Sequence, residues 1–292
     1  GVWIEVLAVC DPFAGSGVRA SAAAARCARR RMKRAVWIGS AVVILGMAAV
    51  AWIYSSSTLP RRPAGPPERL TIAVNATYLG GALIFIAAAN GYFSAEGLDV
   101  TLQSHGTGRA ALDAVLAAQA DLATVAETPF MFAVMKAQPV SIVATISTAA
   151  KDHGVVARKD RGIATPADLK GKRVGVTLGT SGHFLLDVLL LDHGTRSREV
   201  LITDLKPQEV VDGLLSGRID AAATWSPHLD ELKKALGENG LVLYGGRGFR
   251  VTFNVAARQD FIRQHPEAMK KLVRALLRAE TFAAERPDDA RT

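Results

Sequence analysis

The sequence has few cysteines, and their positions exclude several kinds of chemistry. Its 292 residues contain two, Cys10 and Cys27, and none follows position 27. The main part of the chain, residues 70–292, therefore offers no disulfide, no thiolate nucleophile and no cysteine-bound metal. A thiol-free region of this size suits an oxidising compartment such as the bacterial periplasm.

The main part of the chain also lacks an excess of positive charge. The whole sequence has a formal net charge of +8, but residues 1–69 contain ten basic and only three acidic side chains. The other 223 residues contain 25 basic and 24 acidic side chains and are close to neutral. A nucleic-acid-binding protein needs its positive charge on the folded surface that meets phosphate, so we expect no nucleic-acid partner.

Catalytic and cofactor motifs are absent as well. Residues 70–292 contain no G-x-G-x-x-G after a strand, no P-loop, no H-E-x-x-H and no G-x-S-x-G. Carboxylates such as Asp212 and Asp220 stand without a paired base, and we interpret them as solvated. The sequence therefore predicts a protein that is not an enzyme and that binds neither a cofactor nor a metal.

Charge is absent from one further segment, residues 35–54, which are 20 consecutive uncharged and mostly apolar residues. A helix of that length spans about 30 Å, the thickness of the bilayer hydrocarbon. The basic cluster before it, residues 29–34, should stay in the cytoplasm, so the rest of the chain is predicted to be periplasmic or otherwise extracytoplasmic. The small residues Ala49 and Ala51 would suit signal cleavage, but the run exceeds the usual signal core, so cleaved signal peptide and membrane anchor both stay open.

The segments on either side of this predicted helix are not expected to form domains. Residues 1–34 form a basic head, and residues 1–31 could be upstream of the natural start because Met32 stands where a signal sequence would begin. Asp11–Gly17 resembles the cofactor loop of adenine methyltransferases, but such a loop needs a whole nucleotide-binding sheet, and the predicted membrane segment begins only 18 residues later. Residues 55–69 contain four prolines and three serines and are predicted to be an extended linker.

From residue 70 onward, short β-rich runs alternate with helical segments. Examples are the runs at 70–75, 98–103 and 121–126, and a long closing helix is predicted over 266–285. Strands separated by helices indicate mostly parallel sheets flanked by helices. The alternation falls into two series, so the predicted fold class is α/β with two lobes.

Several segments of this region resemble the substrate-binding proteins of nitrate, sulfonate and taurine ABC importers, a group that includes binders of thiamine-type pyrimidine precursors. The resemblance covers about residues 70–290, and its segments occur in the family's order. They are Ala88–Val100, Gly106–Val125, Thr165–Thr177, Gly217–Trp225 and Asn254–Pro266.

The resemblance implies a periplasmic-binding-protein fold of type II, with two lobes that close on a solute. On this pattern lobe I comprises residues 70–157 and 251–292, and lobe II with the crossovers comprises residues 158–250. The crossovers fall near Arg158–Gly162 and Gly246–Arg250. Family members usually continue beyond the end of this chain, which raises the possibility of a truncation. The yeast enzymes of the group use a cysteine-rich motif that is absent here.

Candidate ligand-binding residues follow from the rule that open parallel sheets bind ligands beyond the carboxyl ends of their strands. In lobe I, Tyr78 could stack on a solute, and Thr107-Gly108 could expose amides to an anion. Glu127 and Thr128 begin a helix there; Glu127 suits either helix capping or an amine or ring N–H of the ligand.

Lobe II has its best candidate in Gly179-Thr180-Ser181-Gly182-His183, where two hydroxyls and free amides begin a helix and could hold an anion. Simple capping by the hydroxyls is the alternative, and His183 is equally typical of a surface position. Trp225-Ser226 follows a strand and resembles the family's aromatic position over the solute. An ordinary core tryptophan is the alternative.

The resemblance implies an extracytoplasmic solute-binding protein that captures a small anion of the sulfonate, nitrate or taurine kind. It would be a monomer that delivers this solute to an ABC permease and ATPase on other chains, and residues 35–54 would contact the membrane. Two alternatives stay open, a membrane-tethered ligand-sensing domain and a binder of a pyrimidine heterocycle.

Overall fold

The computed structural model describes residues 65–245 and 250–291. The predicted basic head, the membrane segment at 35–54, the methyltransferase-like loop and most of the linker lie outside these residues. Among the helices that the model describes, none is both long and apolar enough to cross a membrane.

The described chain alternates strands and helices as the periodicity predicts. Its strands are β1 Glu68–Asn75, β2 Leu98–His105, β3 Leu122–Ala126, β4 Val140–Ala149, β5 His153–Arg158, β6 Arg173–Val176, β7 Leu201–Asp204, β8 Ala221–Trp225, β9 Gly240–Leu243 and β10 Val251–Arg258. Its α-helices are α1 Ala82–Ala89, α2 Tyr92–Ala95, α3 Gly108–Leu116, α4 Glu127–Met135, α5 Ser181–Asp192, α6 Pro207–Leu215, α7 His228–Leu236, α8 Gln259–Gln264 and α9 Pro266–Glu285.

The strands form two five-stranded sheets of the same design, and each sheet centres one lobe. The first has the order β2-β1-β3-β10-β4 and the second the order β7-β6-β8-β5-β9. In each sheet the first three strands are parallel, and the fourth runs antiparallel to both of its neighbours. Four of the five strands in each sheet therefore run in the same direction, in agreement with the prediction, and the one reversed strand makes each sheet mixed.

The fourth strand of each sheet is the one that arrives from the other lobe. β5 follows β4 of the first sheet but pairs with β8 and β9 of the second. The first connection between the lobes therefore lies at residues 150–152, and not near Arg158–Gly162 as predicted. The second lies between β9 and β10 and includes residues 246–249, which are outside the described part of the chain.

Helices cover the sheets with apolar faces. In α9 the buried residues recur at helical spacing, and Pro266 occupies its first turn, where a proline costs no hydrogen bond. This helix packs on α1 and α2. The buried residues of α9 are Ala268, Met269, Leu272, Ala275, Leu276 and Ala279.

In each lobe, an aspartate just before one strand accepts a backbone amide of the neighbouring strand, before β3 in lobe I and before β8 in lobe II. Asp121 accepts the amide of Thr71 at 2.7 Å in the first sheet, and Asp220 accepts the amide of Arg173 at 3.0 Å in the second. Asp220 also accepts Nη2 of Arg173 at 2.6 Å and is only 8% exposed. The interpretation of Asp220 as a solvated carboxylate was therefore wrong. Its partner Arg173 lies 47 residues away in the sequence, so local spacing did not indicate the pair.

Candidate functional site

A cavity lies between the two lobes, at the edge where the parallel strands of both sheets end. Only about 30 Å³ inside it is open to a water-sized sphere, enough for one or two water molecules and well below the roughly 300–1,000 Å³ typical of ligand pockets. Both lobes contribute to its walls. The lining residues are Asn75, Tyr78, Thr107, Gly108, Arg109, Ala126, Pro129, His153, Thr180, Ser181, Trp225 and Phe253.

The lobe I wall includes the first turn of α3. The Thr107 hydroxyl accepts the Ala110 amide at 3.1 Å and caps the helix. The next residue is Gly108, and a side chain does not fit there, because its Cβ would lie 3.2 Å from both the Thr124 carbonyl oxygen and the Val125 Cα. Glycine therefore lets the positive end of this helix reach the cavity against β3.

The facing wall is the first turn of α5 in lobe II. The Thr180 hydroxyl donates to the Thr177 carbonyl at 2.7 Å and does not cap the helix. The first three amides of α5, from Ser181 to His183, have no acceptor within the helix by geometry alone. These amides and the helix dipole make the cavity wall at Ser181 favourable to negative charge.

Glu127, the first residue of α4 in lobe I, connects the two walls. Its Oε1 accepts the hydroxyls of Thr128 at 2.8 Å and of Ser181 at 3.0 Å. Its Oε2 accepts the amide of Thr252 at 2.8 Å. A carboxylate of one lobe is thus bonded to the hydroxyl at the start of a helix in the other.

Aromatic rings form a third part of the wall. Tyr78 meets Phe253 edge to face with ring centroids 4.7 Å apart. His153 stacks on Trp225 with centroids 5.9 Å apart. All four rings are more than nine-tenths buried, so they give the cavity a rigid and largely apolar side.

Asp152, in the first connection between the lobes, joins these rings through hydrogen bonds. It accepts the Tyr78 hydroxyl on one oxygen and lies 3.0 Å from Nδ1 of His153 on the other. Burial opposes its charge, but the hydrogen bonds from His153 and Tyr78 outweigh that effect and hold the pKa of Asp152 below its usual value. Burial, followed by the bond to Asp152, raises the pKa of Tyr78. Tyr78 is therefore a neutral donor and Asp152 an anion at neutral pH.

Arg109 is the one lysine or arginine among the lining residues. Its Nη1 donates to the Leu178 carbonyl of lobe II at 2.9 Å, and its side chain is 53% exposed. Arg109 therefore lies at the solvent side of the cavity and bridges the lobes there.

The structure brings half of the predicted ligand-binding residues to the cavity wall, namely Tyr78, Thr107, Gly108, Thr180, Ser181 and Trp225. The other six lie next to it. Thr128 is buried, and its hydroxyl donates to Glu127. Gly179 has a left-handed backbone conformation, and the Arg109 side chain packs against it. The six residues beside the wall are Glu127, Thr128, Gly179, Gly182, His183 and Ser226.

Gly182 packs against the Ala223 carbonyl and the Trp225 ring. His183 turns toward its own helix, where Nδ1 accepts the Gly179 amide at 3.3 Å and Nε2 lies 3.6 Å from Asp187. Ser226 donates its amide to the Asp152 carbonyl at 2.8 Å. These three residues shape or support the wall and do not form its surface.

Six wall residues were not predicted from the sequence, namely Asn75, Arg109, Ala126, Pro129, His153 and Phe253. His153 and Phe253 lie at the start of β5 and β10, the antiparallel strands, which enter their sheets at the cavity edge. Only knowledge of strand direction could have identified them. In the described part of the chain, no cluster of three or more metal-ligating side chains occurs.

Comparison with known proteins agrees with this architecture. The family model described as NMT1/THI5 like matches residues 81–290. A putative binding protein of Brucella abortus (strain 2308) is 29% identical over 74% of this chain and 67% of its own length. The taurine-binding periplasmic protein of Escherichia coli (strain K12) is 26% identical over 70% of this chain and 63% of its own length.

Among solved structures, the alkanesulfonate-binding protein SsuA from Xanthomonas axonopodis pv. citri, bound to MOPS, superposes with a TM-score of 0.67. The match has 20% sequence identity and covers 78% of each chain, so it establishes the two-lobed fold. All three proteins are named as binding proteins, in agreement with the prediction that the chain is not an enzyme.

Proposed function

Because the chain belongs to the NMT1/THI5 like family, we propose that it is the extracytoplasmic solute-binding protein of an ABC importer. It captures a small anionic solute of the sulfonate, nitrate or taurine kind between its lobes and delivers it to a permease. The taurine-binding and alkanesulfonate-binding relatives support this class of solute. The chain acts outside the cytoplasm as a monomer, and its N-terminal segment serves as signal or anchor.

The observation that carries the proposal is the cavity walled by both lobes. The first turns of α3 and α5 face it from opposite sides, with Thr107 and Ser181 in the wall. Amides and hydroxyls at two helix starts bind a sulfonate or nitrate without a formal positive charge. A ligand held by both lobes favours their closed arrangement and shifts the population toward it.

A thermal-shift screen of the full 292-residue chain tests the proposal. The probes are taurine, ethanesulfonate, nitrate and bicarbonate, and a solute at about 100 times its Kd stabilises the folded state by about 2.7 kcal/mol. Failure of every probe to raise the melting temperature would contradict anion capture.

The fluorescence of Trp225 gives a second, site-specific readout. It is the one tryptophan within residues 65–245 and 250–291; Trp3, Trp37 and Trp52 precede them. We expect a ligand-dependent fluorescence change that the Trp225→Phe variant loses while a thermal shift persists. A change that survives in this variant would place the ligand elsewhere.

A second candidate, a pyrimidine-type heterocycle, is favoured by the four aromatic rings of the wall. Tyr78 contacts both Phe253 and His153, and His153 stacks on Trp225, so the four rings form one continuous aromatic surface against which a flat ring would pack. An aminopyrimidine arm in the same screen separates the candidates. Stabilisation by the aminopyrimidine alone would support the heterocycle over the anion.

A further inference from the structure

Within residues 65–245 and 250–291, the Glu127 carboxylate has no cationic partner, although it lies between the lobes. Its three donors within the described residues are the Thr128 and Ser181 hydroxyls and the Thr252 amide, and all are neutral. A partly buried carboxylate without a cation is costly, and a ligand cation would reduce that cost. A carboxylate offers about four lone-pair positions, so one stays available to a ligand N–H.

The hydrogen bond to Ser181 makes this carboxylate a competitor of any simple anion. A serine hydroxyl has one proton to donate, and in this structure that proton is directed to Glu127 at 3.0 Å. An anion that accepts the Ser181 hydroxyl must replace Glu127 as the acceptor of that hydrogen bond. It then lies beside the negative charge of the Glu127 carboxylate.

Arg109, the one lysine or arginine of the cavity wall, does not offset this repulsion. Arg109 donates to the Leu178 carbonyl at the solvent side, and its side chain is 53% exposed. A ligand that carries its own ammonium group avoids the conflict, because the ammonium bonds Glu127 while the anionic end takes the Ser181 hydroxyl and the α5 amides.

We propose that Glu127 is a specificity-determining residue that excludes simple anions and selects solutes carrying both an ammonium and an anionic group. This inference rests on the proposed function, since it concerns the same cavity, and it narrows the ligand to zwitterions of small size.

Two sulfonates that differ only in the amine test the proposal. Isothermal titration of the full chain with taurine and with ethanesulfonate should show taurine binding about tenfold tighter or more, the usual worth of one charge-assisted hydrogen bond. In Glu127→Gln the preference should fall to within about twofold, mainly because ethanesulfonate binds more tightly. The control variant Glu280→Gln removes the same charge from an exposed position of α9 and should keep the wild-type preference.

The wild-type comparison alone can overturn the proposal, so it does not depend on the folding of a variant. Equal affinity of the wild-type chain for the two sulfonates would refute selection by Glu127 while leaving anion capture intact. An unchanged preference in Glu127→Gln would refute it as well. If neither sulfonate, nitrate nor the aminopyrimidine bound, both the inference and the proposed function would fail.

Discussion

Asp220 offers a quantitative test of how lobe II is held together. Its side chain is 11% exposed and accepts three hydrogen bonds from Arg173: from the amide at 3.0 Å, from Nε at 3.1 Å and from Nη2 at 2.6 Å. The hydrogen bond from the Arg173 side chain holds the pKa of Asp220 below its usual value, although burial acts in the opposite direction.

Replacing Asp220 by asparagine keeps the shape and removes the charge. The side-chain oxygen of the asparagine can still accept the Arg173 backbone amide. Its NH₂ group, however, faces the Arg173 guanidinium, which is also a donor, so that hydrogen bond is lost. Hydrogen bonds to a charged group contribute about 1.5–3 kcal/mol. Because the Arg173 side chain is 42% exposed, solvent screens part of this, and we expect a loss of about 2 kcal/mol. For a protein of this size that is about 4–8 °C in melting temperature.

The loss should depend on pH in a defined direction. A carboxylate whose pKa is lower in the folded than in the unfolded state contributes stability above the unfolded value, about 3.9, and loses it as pH falls through the folded value. Urea denaturation followed by circular dichroism should therefore show the full difference between wild type and Asp220→Asn at about pH 7 and a smaller one at about pH 3.

The equivalent residue of lobe I is the control. Asp121 accepts the Thr71 amide at 2.7 Å but has no arginine partner in the described part of the chain, so Asp121→Asn should cost only about 1 kcal/mol or less. Equal losses in Asp121→Asn and Asp220→Asn, or a difference from wild type that persists at about pH 3, would refute the role assigned to the Arg173 pair.

Two further predictions concern packing. Gly108→Ala should destabilise the chain by about 1–3 kcal/mol and weaken solute binding, because its Cβ would press on the Thr124 carbonyl at 3.2 Å. Gly106→Ala, whose Cβ meets nothing within 4 Å, should change neither quantity in the same denaturation and titration experiments. On α5, Leu186→Ala should lower the free energy of unfolding by about 2–5 kcal/mol because Leu186 is fully buried. Leu191 is 72% exposed, so Leu191→Ala should lower it by about 0.5 kcal/mol or less. Similar losses in the two variants would contradict the burial of this face of α5.

Elements of secondary structure could be predicted from the sequence because their signals are local. The closing helix α9 agrees with its prediction at both ends, Pro266 and Glu285, since a proline start and an apolar stripe suffice to define it. Sheet membership is not local. β5 has the apolar composition of any buried strand, and only its pairing with β8 and β9 assigns it to lobe II.

The same distinction explains the candidate site. Tyr78, Thr107 and Ser181 were predicted because they occupy turns after parallel strands, which meet at one edge. His153 and Phe253 reach that edge from antiparallel strands, a direction that residue patterns do not encode. The bond between Glu127 and Ser181 spans 54 residues and two lobes, so no local spacing could have indicated it.

The repeated architecture makes the differences between the lobes informative. In both, an aspartate just before a strand accepts an amide of the neighbouring strand: Asp121 joins β3 to β1, and Asp220 joins β8 to β6. Six residues after the first aspartate lies Glu127, whereas five residues after the second lies Trp225. At these corresponding positions, lobe I therefore has a carboxylate beside the cavity and lobe II has a ring in its wall, while the first turns of α3 and α5 reach the cavity from both lobes. Under the role proposed for Glu127, a solute that bridges the lobes must offer a donor to this carboxylate and an anionic group to the first turn of α5, which favours an asymmetric molecule over a symmetric ion such as nitrate.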